Sequence, residues 1–228
     1  MNKLKIHPMA AYLRSEMKKA GDNAKAKGMQ AYMKTDQPFY GVQAGPRRII
    51  FRRAKKKFAI KSRTDYFELI NELWCGKYRE DMYQAIEIAE AYKVYIDDKS
   101  WEFFEILVRT ATNWDTLDWI AAKLISPLII KNRKFEKRLI EWSKDNNLWV
   151  RRASILAHLR HKDETNTELL TILILELASE KEFFIRKAIG WILREYAYTN
   201  PDWVKTFIKQ NEKKLSGLSI REALKNIR

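Results

Sequence analysis

An aromatic-bearing segment recurs along this chain at a step of 35 residues, and no other feature constrains the fold as strongly. Trp114, Trp149 and Phe184 are equally spaced, each near the start of a stretch with helical periodicity. The segments are Asn113-Trp114-Asp115-Thr116-Leu117-Asp118, Leu148-Trp149-Val150-Arg151-Arg152-Ala153 and Phe183-Phe184-Ile185-Arg186-Lys187-Ala188. A period of 20–50 residues built from helix pairs marks an α-solenoid, in which each repeat buries its apolar face only against its neighbours. The expected fold is therefore all-α, a stack of helical repeats whose curvature leaves a concave groove.

Helix boundaries are legible. Asn200-Pro201 sets a capping side chain before a proline at the first helical position. Thr165 with Glu168, Ser179 with Glu182 and Ser219 with Glu222 fit the capping-box spacing. Between such signals apolar residues return at three and four, as in Leu169, Ile172, Leu173 and Leu177 or Phe184, Ala188, Trp191 and Ile192. The pattern predicts helices at roughly 8–20, 23–34, 46–58, 64–75, 79–94, 99–111, 114–129, 133–145, 148–160, 166–178, 182–197, 201–212 and 218–227. Short connections imply antiparallel neighbours, and no linker interrupts them. One all-α domain over residues 1–228 is expected.

Charge narrows the partner. The chain carries a formal +15, which attracts polyanions, nucleic acid the commonest among them. No acidic residue lies between Asp36 and Asp65, whereas Arg47, Arg48, Arg52, Arg53, Lys55, Lys56, Lys57, Lys61 and Arg63 all do. On a helix starting near Pro46, Arg48, Arg52 and Lys55 or Lys56 share one face, a stripe suited to phosphates. Other classes recede. No apolar run is long enough to span a membrane, and Met1 to Ile6 has no signal-peptide core. The single Cys75 gives no internal disulfide and no cysteine metal site. His7, His158 and His161 show no metal spacing with carboxylates, and Glu87 with Glu90 reads as a solvated helix face. Neither a nucleophile elbow nor a Gly-rich phosphate loop is present. A soluble cytoplasmic chain acting as a monomer is expected.

Aromatic and charged residues pair repeatedly on the second helix of each repeat. Asp118 follows Trp114 by four, Arg152 follows Trp149 by three, and Arg194 follows Trp191 by three. Each pair shares a helical face.

These residues resemble the AlkD-type bacterial DNA alkylation repair glycosylases. The run from Phe183 to Ala197, with Arg186-Lys187-Ala188-Ile189-Gly190-Trp191-Ile192-Leu193-Arg194-Glu195-Tyr196 at its heart, carries the likeness together with Thr199-Asn200-Pro201. Trp114 to Asp118, Asn147 to Ala153, Met29 to Lys34, Gly41-Val42 and Pro46-Arg47-Arg48 continue it in order. The resemblance implies HEAT-like repeats that cradle duplex DNA and release cationic N3- and N7-alkylated purines without swinging the base into a pocket. It assigns Asp118, Trp114 and Trp191 to catalysis and sends Arg152 toward the DNA backbone. Arg194 and Tyr32 fall at cleft positions, and Trp149, Arg47 and Arg48 join them as expected DNA contacts. One departure is Asn113, where the pattern has a second aromatic.

The chemistry suits these residue types. A cationic purine is already a good leaving group, so the sugar's developing charge is what needs stabilising. An ionised carboxylate near C1′ does this and can align water; indole faces add on the order of 0.5–2 kcal/mol each. Asp118 fits the first role, and Trp114 and Trp191 fit the second. The reaction is expected to need neither metal nor cofactor. Two competitors use the same fold without catalysis: a DNA-binding scaffold, and a solenoid for acidic peptides.

Overall fold

The computed structural model describes residues 6–226, so most of the Met1 to Ile6 start and residue 227 of the last expected helix lie outside the described residues. Among the described residues every element is helical, and each expected window holds a helix. Contacts divide the chain into two compact units, Met1–Tyr95 and Ile96–Arg228.

The first unit contains α1 (Pro8–Ala20), α2 (Asn23–Met33), α3 (Ala44–Lys57), α4 (Arg63–Trp74) and α5 (Arg79–Ala91). α1 packs on α3 and α4, and α4 on α5. Met9, Leu13, Met17, Tyr66, Leu69, Ile70 and Ile86 form the core, each worth roughly 1.5–3 kcal/mol of burial. The loop before α3 is tied down by one buried carboxylate: Glu80 accepts the backbone N–H of Tyr40, Gly41 and Val42 at 2.9–3.0 Å. Gly41 has φ +84°, and a Cβ there would lie 2.0 Å from the Asp22 carbonyl. Only glycine fits that turn.

The second unit contains α6 (Trp101–Thr110), α7 (Trp114–Ile120), α8 (Ser126–Lys131), α9 (Glu136–Ser143), α10 (Leu148–Leu156), α11 (Thr167–Leu177), α12 (Phe183–Ala197), α13 (Pro201–Asn211) and α14 (Gly217–Ala223). The 35-residue step becomes stacking. α10 lies against both α7 and α12, and Trp149 meets Phe184 at 5.1 Å between ring centres. In the companion row α9 packs on α11, and Trp101 stacks on Trp142 at 5.4 Å. The fold is a stack of helical repeats.

Three local expectations are corrected. The helix expected over 114–129 runs on to Lys131 but widens into a π-helical turn at Ala121–Ile125. Pro127 has no N–H to give, and its ring crowds the carbonyl four residues back, so the ladder shifts there. None of the three capping boxes forms as spaced. Asn166 caps α11 and Ser216 caps α14, whereas Glu182 precedes α12 without a side-chain cap. Asn200 caps α13 on Trp203 N at 3.0 Å, with Pro201 behind it. Finally, Glu87 is not on a solvated face: it is largely buried, 3.7 Å from Arg47. His158 is packed in the core beside His161, at 5.3 Å between rings. Burial holds them neutral, with pKa values down to about 3 and about 4.

Candidate active site

Asn113 starts the site. Its side chain accepts the Trp114 N–H at 2.9 Å and caps α7, so the departure from the family pattern has a local use. Trp114 then occupies the first helical position, half-exposed, with Asp118 one turn on and mostly buried. The backbone carbonyl of Asp118 accepts the Ala121 N–H where the π-helical turn begins. Such turns recur at functional sites.

Asp118 and Arg152 meet across the stack. Arg152, on α10, donates from Nε to Oδ1 and from Nη2 to Oδ2, both at 2.8 Å. This two-pronged geometry fixes carboxylate orientation as well as charge. The third arm of the guanidinium donates to the carbonyl of Phe184 in the first turn of α12, and its Cζ lies 5.9 Å from the centre of the Phe184 ring. One arginine thus joins α7, α10 and α12. Burial pushes the Asp118 carboxyl up from its usual range, and the Arg152 hydrogen bond and charge offset part of that.

α12 presents the remaining candidates on one stripe. Phe184, Lys187, Trp191 and Arg194 are spaced three, four and three apart, which aligns them along one side of the helix. Trp191 is half-exposed. Arg194 pairs with Glu222 of α14. Glu222 also takes Lys187 at 2.5 Å and Lys225 at 2.8 Å. Sequence reading missed this carboxylate because it read Glu222 as the end of a capping box; its signal is the placement of Gly190, which admits α14.

The other expected residues are scattered in character. Trp149 is half-exposed and leans on Phe184. Tyr32, on α2 in the first unit, is 74 % exposed. Arg48 is exposed on α3 with Arg52, Lys55 and Lys56. Arg47 is not: it is buried on the opposite side of α3, 4.6 Å above the Tyr83 ring and next to Glu87. Its burial draws the guanidinium pKa down against the pull of Glu87. The stripe survives without it. Among the described residues no three His, Cys, Asp or Glu side chains gather as a metal-binding group, and no helix is long and apolar enough to cross a membrane.

Known proteins share this sequence pattern and this fold. Residues 13–227 match the family model described as DNA alkylation repair enzyme. A solved structure of a predicted DNA alkylation repair enzyme from Enterococcus faecalis superposes with a TM-score of 0.83 at 28% identity, over 91% of this chain and 96% of that one. The smu.31 protein of Streptococcus mutans UA159 shares the fold, with a TM-score of 0.58 at 18% identity over 93% and 100% of the two chains. No curated protein matches. With nearly its whole length matched by one family model, the chain belongs to the DNA alkylation repair enzyme family and has a role in the repair of alkylated DNA.

Proposed function

We propose that this protein is a glycosylase that hydrolyses the N-glycosidic bond of cationic N3- and N7-alkylated purines in duplex DNA. The observation that carries the reading is the Asp118 carboxylate, held in two-pronged fashion by Arg152 one turn from the half-exposed Trp114. Arg152 aims the carboxylate and favours its ionised form. As the bond to C1′ breaks, its electron pair goes to the alkylated ring and cancels that ring's positive charge. The sugar becomes cationic, and Asp118 stabilises it electrostatically. Water then adds at C1′ and its proton passes to Asp118 or to solvent, leaving the free base and an abasic site. Trp114 and Trp191 contribute indole faces to the cationic sugar. Backbone phosphates are engaged by exposed cations, among them Arg48, Arg52, Lys55 and Lys56 of α3.

Such a site stabilises a cation but does not activate a poor leaving group. Release should therefore occur from matched duplexes carrying one N3-methyladenine or N7-methylguanine, and not from those carrying uracil, hypoxanthine or 8-oxoguanine. Excision of neither class would leave a scaffold. Efficient excision of a neutral base would require an acid that this arrangement lacks.

A further inference from the structure

The cations on α12 and in the short 3-10 turn that follows α14 (Leu224–Asn226) outnumber their counter-ion. Glu222 is only 5% exposed, yet Lys187, Arg194 and Lys225 all converge on it. One carboxylate cannot neutralise three cations, so the cluster retains a surplus of positive charge. Crowding is visible in Lys187: burial lowers its pKa, and Lys225, Arg194 and Arg152 lower it further. The two lysines still reach solvent, with 37% and 56% of their side chains exposed.

Position ties the cluster to the candidate active site. Lys187 lies one turn before Trp191 and Arg194 one turn after it, on the same side of α12. The indole is thus flanked by two cations that share one carboxylate. α14 reaches them because residue 190 is glycine: a Cβ there would lie 2.5 Å from the Glu222 Cβ and 2.8 Å from the Ser219 carbonyl. Ser219 fixes the docking by donating its hydroxyl to the Arg186 carbonyl at 2.9 Å. The close approach of α14 brings Glu222 to these cations. For core packing alone, an apolar side chain would be the cheaper choice.

We propose that Lys187, Arg194 and Lys225 form a binding site for a DNA backbone phosphate beside Trp191, and that Glu222 is their counter-ion in the free protein, competing with the phosphate for them. The inference rests on the glycosylase reading for its ligand. A phosphate contact fixes register without reading sequence or damage, so the site holds the duplex while Trp191 meets the sugar. The negative charge of Glu222 repels the phosphate, while Gly190 and Ser219 keep α14 docked without it.

The test measures affinity for an undamaged duplex, and for the same duplex with one N7-methylguanine, across a salt series. Lys187→Gln should weaken both equally, several-fold near 0.1 M salt, and reduce the slope of log K against log salt by about one. The preference for the damaged duplex should stay put. Glu222→Gln, checked by circular dichroism to be folded at the assay temperature, should bind more tightly than the parent at low salt. Weaker binding by Glu222→Gln in step with lost thermal stability would reduce the carboxylate to a structural brace. A parental slope in Lys187→Gln would remove the phosphate site even where the parent excises N7-methylguanine normally. A parent that binds no duplex would instead sink the glycosylase reading itself.

Discussion

Two carboxylates of the second unit begin from the same sequence pattern and end in opposite states. Glu105 follows Trp101 by four residues, as Asp118 follows Trp114. Each has an arginine from the next repeat against it. Glu105, however, accepts from both indoles of the Trp101–Trp142 stack at 3.0 and 3.3 Å, and from Arg109 and Arg138 at 2.9 and 2.7 Å. Burial raises its pKa, but the two arginines outweigh that, and the net shift is downward. Asp118 has one guanidinium, and burial wins. Each carboxylate oxygen has two acceptor positions, so the Arg152 pair leaves Asp118 with capacity that Glu105 has spent. A tryptophan four residues before an acid does not mark chemistry. What separates the two acids is the number of donors each already accepts, which under the proposed mechanism leaves only Asp118 free to meet a substrate.

The largest expected effect follows from that spare capacity. Asp118→Asn keeps the shape but removes the charge, and should slow release of N7-methylguanine by about 10²–10³, the usual cost of losing one preorganised electrostatic group. Single-turnover excision with protein in excess measures it apart from binding. An equal loss of rate in Glu105→Gln, assayed well below its melting temperature, would erase the distinction between the two acids.

Glu105→Gln should show itself in stability. Arg138, Arg109 and two indole N–H groups lose a charged acceptor, and hydrogen bonds to charged groups are worth about 1.5–3 kcal/mol each. Some of this is offset because Arg109 keeps Asp145 at 2.7 Å. A net loss of about 2–3 kcal/mol in urea unfolding is expected, larger than that of Asp118→Asn. If Asp118→Asn proves the more damaging, the Arg152 pair is a structural tie first.

How much of this could be read beforehand depends on how local the cause is. The three-and-four spacing is a property of adjacent turns and located the helices, and the 35-residue step gave the stacking of repeat on repeat. The capping of α13 by Asn200 was legible for the same reason. What failed was long-range. Nothing near Arg47 in sequence says that Tyr83 and Glu87 will cover it while Arg48 stays exposed. Glu222 lies 28 residues from Arg194 and 35 from Lys187, so its role is created by the docking of α14 at Gly190. The capping boxes misled because a serine or threonine three before a glutamate satisfies the spacing wherever the helix actually starts. The pairing of Asp118 with Arg152 was half-visible: both were singled out, but their bond depends on the rise from one repeat to the next.

The smallest effect is also the sharpest discriminator, because the two acids should give opposite pH slopes. Under the proposed mechanism excision needs ionised Asp118, so the rate should fall with acid along a limb above the range of a solvated aspartate, near pH 3.9. Arg152→Ala removes the partner that opposes burial and should move that limb to still higher pH. Stability runs the other way. A carboxyl whose pKa is raised by folding binds its proton more tightly in the folded state. Its contribution is therefore greatest below the unfolded pKa and is lost as pH rises through the folded one. Glu105, with its pKa lowered, contributes above the unfolded value and loses that contribution as pH falls through the folded one. Melting temperatures of the parent, Asp118→Asn and Glu105→Gln, measured from acid to neutral pH, should diverge accordingly. The parent gains on Glu105→Gln as pH rises, while its margin over Asp118→Asn shrinks. A margin over Asp118→Asn that grows with pH would mean that Arg152 outweighs burial. The acid limb of excision would then lie below that of a free aspartate, and Arg152→Ala would move it through the ordinary range instead of starting beyond it.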